Sequence, residues 1–229
     1  ILSAQEVDGV EEPKGAASFS GNALVVDSKP FQLRTFKLKL AEPKKKIPAP
    51  QYSTVELPYN AVAISSDAFS AFGHMDGIPG EWRSYAAEIL PNDFVFAGIP
   101  FRFGKADLDN AVRCAGQELA VPEGTTKLYL LAASSGEDKE VQFGDETLLV
   151  ENWAGKFGAY GWQGVYDSFC RSGKLAYMGT HSHGSSRRNL IYECSYMFLL
   201  EVPVAGGSFK LPDDKDIVVF AATACNLGK

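Results

Sequence analysis

Cysteine and histidine are scarce in this 229-residue chain, numbering four and three. Cys114, Cys170, Cys194 and Cys225 lie far apart with no CxxC pair, which excludes a zinc knuckle and a thioredoxin-type redox motif. They read as small core hydrophobes, or as one or two bridges at most. No run of about 18 apolar residues occurs, so no membrane-spanning helix is expected. The N-terminus, Ile1-Leu2-Ser3-Ala4-Gln5-Glu6, lacks the charged-then-apolar layout of a secretory signal. It also lacks an initiator methionine, and the chain is expected to be a piece of something longer. Positive charge is in deficit, with 22 Lys and Arg against 28 Asp and Glu and a net charge of -6. That balance repels a phosphate backbone, and no nucleic-acid partner is expected. The nucleophile elbow GxSxG, the P-loop, a GxGxxG turn and an HExxH helix are all missing.

What is present is a packed, β-rich pattern. Hydrophobic residues make up 45% and charged residues 22%, which excludes a disordered chain. At this length folding buries about 70% of the surface, so no disulfide or metal is needed to hold a core. Apolar residues alternate with polar ones in Phe36-Lys37-Leu38-Lys39-Leu40, in Ile99 to Phe103, and from Tyr192 through Cys194, Tyr196 and Phe198 to Leu200, as in half-buried strands. Leu128 to Ala133 and Ile217 to Ala222 are apolar at every position, as central strands covered on two sides must be. Val141 and Phe143 lead through Gly144-Asp145 into Thr147-Leu148-Leu149-Val150, a hairpin signal. No segment sustains a helical stripe. With 22 Gly and 12 Pro between short strands, the predicted fold is all-β: an antiparallel β-sandwich or jelly roll of the galactose-binding-like kind, preceded by a few strands from an upstream β domain.

The composition breaks once, at Glu42-Pro43-Lys44-Lys45-Lys46-Ile47-Pro48-Ala49-Pro50, where proline and charge replace alternation. The predicted organisation is therefore a few strands over 1–41 that pack on the sandwich or belong to a missing preceding domain, a Pro/Lys linker over 42–52 and the sandwich over 53–229. The first stretch has too few strands to bury a core alone.

Two of the three histidines form Thr180-His181-Ser182-His183-Gly184. On a strand, His181 and His183 share a face and could grip a metal, with a third ligand from His74, Asp76 or a cysteine. The plainer alternative is a pair of hydrogen-bonded histidines shaping a loop; the expectation is that the pair points towards a cleft, metal-free, with at least one ring accessible. Trp82, Trp153, Tyr160 and Trp162 lie in Gly-rich stretches, where rings can stack on sugars or plug the core. Asp76, Glu88, Asp93 and Glu151 are carboxylates from which a glycosidase pair could in principle be drawn. Arg187-Arg188 could clamp an anion or sit on a turn.

Several segments, in order, resemble the C-terminal region of bacterial glycoside hydrolase family 38 α-mannosidases. They are Leu57-Pro58-Tyr59-Asn60-Ala61-Val62, Ala87-Glu88-Ile89-Leu90-Pro91, Gly98-Ile99-Pro100-Phe101-Arg102-Phe103-Gly104, Asn110-Ala111-Val112, Gly116-Gln117, Leu128 to Ala133, His181-Ser182-His183 and Leu211-Pro212-Asp213-Asp214. The opening through Leu38 is similar to the last strands of the β domain that follows the catalytic part of those enzymes. The resemblance implies a retaining α-mannosidase as parent, with its catalytic zinc and nucleophile in a part not contained in this chain. No catalytic residue carries over, and no cofactor is expected in this chain. The expected function is a non-catalytic accessory region that packs on the upstream catalytic domain. The alternative is a carbohydrate-binding module for mannose-containing glycans using Trp82, Trp153, Tyr160, Trp162, His181 and His183. A periplasmic or secreted location would suit a bacterial glycosidase.

Overall fold

Strands that are apolar at every position need cover on both sides, and the two such segments lie side by side in the molecule. The computed structural model describes residues 1–43, 48–67, 75, 82–91, 93–156, 160–161, 164–165, 173–184 and 188–228. Lys127–Ser134 pairs antiparallel with Ile217–Asn226 on one side and with Arg188–Pro203 on the other. The sheet continues through Lys174–Gly184 and Arg83–Ala86 to Ile64–Ser65 at one edge, and ends at Val112–Arg113 on the other. Gln51–Thr54 adds to Ile217–Asn226, and Ala154–Lys156 adds to Arg188–Pro203. All of these ladders are antiparallel except the one between Ile64–Ser65 and Arg83–Ala86, which is parallel.

Alternate residues of the central strands feed two separate cores. Leu128, Leu130 and Ala132 join Val219, Ala222, Leu200 and Val202 on one face. Leu131 and Ala133 join Val218, Phe220 and Ala221 on the other. The first face is covered by the pairs Glu118–Ala120 with Ser208–Lys210 and Lys139–Phe143 with Glu146–Val150, which contribute Leu119, Phe209, Val141, Phe143 and Val150. The second is covered by the hairpin Phe94–Phe96 with Ile99–Phe101, which contributes Phe94, Ile99 and Phe101. The result is an all-β sandwich, in agreement with the sequence pattern. In the hairpin after Phe143, Gly144 has φ +61°, the left-handed value that the first position of a two-residue II′ turn requires.

One strand departs from expectation. The alternation from Tyr192 to Leu200 predicts a half-buried strand, but within the observed strand Arg188–Pro203 the residues Ser195, Met197 and Leu199 are buried along with Cys194, Tyr196, Phe198 and Leu200. The place of this stretch between Lys127–Ser134 and Lys174–Gly184, where the sheet is covered on both faces, explains its burial from Cys194 to Leu200.

Contacts divide the chain into two units, 1–48 and 49–229. Gln51 and Tyr52, read as linker, already belong to a strand: they pair with Asn226 and Cys225, and the Tyr52 ring meets Tyr129 edge-on at 6.3 Å. In the first unit, Thr35–Lys39 pairs with Ser3–Val7, which pairs with Pro13–Ala16 in a three-stranded sheet. Arg34 chelates Glu6 and lies 5.0 Å above the Phe36 ring. The apolar side of the alternating segment is open, with Leu38 and Leu40 exposed.

Cys114, Cys194 and Cys225 are free and buried, in the role of small hydrophobes; Cys170 lies outside the described residues. Burial, aided by the Asp214 charge, pushes the Cys114 thiol up to about 12, too high for a nucleophile. Among the described residues, no helix is long and apolar enough to cross a membrane.

Glu201 accepts from the ammonium groups of both Lys127 and Lys174. These bonds hold its carboxyl below the usual carboxylate range. A carboxyl depressed in the fold adds stability above its unfolded pKa and loses it as pH falls through the folded one. Urea titrations from about pH 6 down to about pH 3 should therefore show Glu201→Gln less acid-sensitive than wild type. The partly exposed pairs limit the difference to about 0.5 kcal/mol; parallel acid profiles would contradict the assignment.

Candidate functional site

At the Ile64–Ser65 end of the large sheet, three neighbouring strands align short polar side chains. His183 lies opposite Ser84 in the antiparallel ladder, and Ser65 lies opposite Ala86 in the parallel one. The Ser65 hydroxyl is 2.6 Å from that of Ser84 and 3.2 Å from His183 Nδ1. All three residues are fully buried. The other ring nitrogen, Nε2, faces two carboxylates: Asp67 Oδ1 at 3.2 Å and Glu88 Oε2 at 3.3 Å.

Chain geometry delivers those carboxylates. Asp67 follows Ser65 by two residues, and Ser66 between them is held at both its N–H and its hydroxyl by Asp107, at 2.7 and 2.8 Å. Glu88 sits in the 3₁₀ turn Ala87–Ile89, which ends the strand Arg83–Ala86. Its second oxygen accepts the Asp67 N–H at 2.7 Å. The chain is fixed one step earlier by Asn110, whose buried amide accepts from the N–H groups of Ala63 and Ile64 and donates to the carbonyls of Ile64 and Lys105.

The predicted site residues scatter relative to this cluster. His181 and His183 share a face of Lys174–Gly184, with ring centroids 6.0 Å apart; His181 is partly exposed, whereas His183 has no exposed surface. The His183 ring itself has no exposed surface, with Ser65 at one nitrogen and the Asp67 and Glu88 carboxylates at the other. Trp153 is also fully buried, tilted against Tyr85 at 5.2 Å and under the Arg83 guanidinium at 5.1 Å. It plugs the core and offers no face to a sugar. Trp82 is half-buried just ahead of Arg83. Tyr160 forms the short strand Tyr160–Gly161, paired with Gly164–Val165, while Trp162 lies outside the described residues. So do His74, Asp76 and Arg187.

Of the other carboxylates, Asp93 is exposed. Glu151 is buried and accepts the Gly173 N–H. Glu88 acquires a different neighbour from the glycosidase partner considered for it, namely an imidazole. Asp67, Ser65 and Ser84 carry no sequence signal: Ser65 and His183 are 118 positions apart, and only strand pairing unites them.

Compared with known proteins, residues 51–227 match the family described as AziU2-like beta-sandwich domain. The matched stretch opens with Gln51–Thr54 and closes beside Asn226, two segments that are hydrogen-bonded neighbours. This supports the sandwich and carries no α-mannosidase assignment. No curated protein matches the chain.

Proposed function

We propose that this chain, which belongs to the AziU2-like beta-sandwich domain family, serves as a non-catalytic accessory region that packs on a catalytic domain and frames its substrate cleft. The observation that carries this reading is the surface of residues 1–48. Phe31 and Leu33 are fully exposed, Val10 is 77% exposed and Leu40 65%, while among the described residues of this unit Ala4 and Val7 are the buried apolar ones. Covering one large apolar side chain is worth about 1.5–3 kcal/mol, so such a surface favours a partner that covers it. The partner suggested by the sequence resemblance is a family 38 α-mannosidase catalytic region, with its own zinc. The alternative glycan-binding reading rests on Trp82 and His181, which keep some exposure; the burial of Trp153 weakens it.

The test combines the chain with a family 38 catalytic region supplied in trans. The chain alone should not hydrolyse synthetic α-mannosides. It should form a stoichiometric complex with the catalytic region, and the double substitution Phe31→Ser, Leu33→Ser should weaken that complex at least about tenfold. Turnover by the rigorously purified chain, absence of a complex, or equal affinity of the double variant would each reject the proposal.

A further inference from the structure

The two carboxylates and the imidazole at the sheet end pose an electrostatic problem. Asp67 Oδ1 and Glu88 Oε2 converge on His183 Nε2 at 3.2 and 3.3 Å. The ring is wholly buried, yet Nε2 has no hydrogen-bond partner: neither oxygen lies in line with an N–H bond on that nitrogen. Three electron-pair donors, all within 4.8 Å of one another, thus face a common point with no hydrogen bond from Nε2 to join them. A cation at that point would do so.

We infer that Asp67, Glu88 and His183 form a binding site for a divalent transition-metal ion of the zinc class. Donors held at 2.0–2.2 Å from zinc in a tetrahedron stand about 3.3 Å apart, matching the two separations to the imidazole. One nitrogen ligand among two oxygens selects zinc or manganese over calcium and magnesium, which favour all-oxygen shells. The surroundings orient each donor. Ser65 engages Nδ1, leaving Nε2 for the ion; the Asp67 N–H occupies one Glu88 oxygen and leaves the other. Asp107 fixes Ser66 and so the approach of Asp67. The side chains of Asp67 and Glu88 are 68% and 41% exposed, so the ion has a route in and a solvent-facing fourth position. His181, the partner expected from the HxH spacing, stands outside this donor group. The inference is independent of the accessory role proposed above.

The experiment uses the whole chain, stripped with a chelator and dialysed. Zinc titrated by calorimetry should bind at one equivalent and raise the thermal midpoint, and cobalt(II) in its place should give visible absorption bands of a low-coordinate site. Asp67→Asn and Glu88→Gln preserve shape at partly exposed positions and should each weaken zinc at least about tenfold; His183→Gln, checked for folding by circular dichroism, should abolish the cobalt spectrum. Calcium and magnesium at millimolar concentration should not displace zinc. No zinc uptake, uptake unchanged in both carboxylate variants, a cobalt spectrum retained in folded His183→Gln, or displacement by calcium or magnesium would overturn the assignment.

Discussion

Asn110→Ala is expected to remove about 3–5 kcal/mol from the stability of the 49–229 unit. The Asn110 side chain is fully buried and makes four hydrogen bonds, accepting from Ala63 and Ile64 at 2.9 and 3.0 Å and donating to Ile64 and Lys105 at 2.7 and 3.2 Å. Alanine would leave two buried N–H groups and two carbonyls without this partner. Each orphaned buried group costs about 1–3 kcal/mol, and the gap cannot easily close around them. Gly104 packs against this residue so tightly that a Cβ there would come within 2.7 Å of the Asn110 Cα. The same amide holds the edge strand that carries Ser65 and aims Asp67, so the zinc affinity proposed above should fall with stability. Asn60→Ala is the control. Asn60 also bonds the backbone, at Arg113, but is exposed, so water can replace it and the loss should stay below about 1 kcal/mol. Urea unfolding of both variants decides the matter: equal losses would show that burial of the Asn110 amide is not what makes it matter.

Much of this fold is legible in the sequence, for a physical reason. Leu128 to Ala133 and Ile217 to Ala222 present apolar groups to both faces, and no position in a sheet except a doubly covered centre tolerates that. The turn at Gly144-Asp145 is equally plain, because its geometry is local. Arg188–Pro203 is harder to read, since Glu193 and Ser195 imitate a solvent face. Glu193 is engaged by Arg83 at 2.6 Å, and the buried Ser195 lies beside Gly179, where no side chain fits. The His183 cluster lies further out of reach. The HxH spacing places two rings on one face, but the proposed ligands come from one strand, from the residue two beyond the end of another and from a 3₁₀ turn, and the ladder that joins them leaves no trace in local spacing. Aromatic residues are ambiguous for a related reason: a ring in a Gly-rich stretch may serve a sugar or a core equally well by composition, and only the neighbours decide.

For Trp153 the neighbours decide in favour of the core, and Trp153→Ala should destabilise the sandwich by about 3–5 kcal/mol. The indole is fully buried, 5.2 Å from the Tyr85 ring, which in turn meets Phe220 edge-on at 4.9 Å. The Arg83 guanidinium covers the indole at 5.1 Å while bonding Glu193 and Ser182. Deleting the indole therefore opens a cavity between three strands and removes the surface on which Arg83 rests. The backbone of Trp153 is tied to Lys127–Ser134 and Arg188–Pro203, donating to Ser134 at 2.9 Å and accepting from Tyr196 at 2.6 Å, so the chain cannot collapse far into the void. Trp153→Phe refills part of it and should cost about half as much. A residue that served as a sugar platform would behave in the opposite way, with glycan affinity falling while the denaturation midpoint stayed in place. Paired urea unfolding and mannoside titration of Trp153→Ala and Trp153→Phe separate the two roles: a graded loss of stability, larger for alanine, supports the core plug, and unchanged stability with lost glycan binding would defeat it.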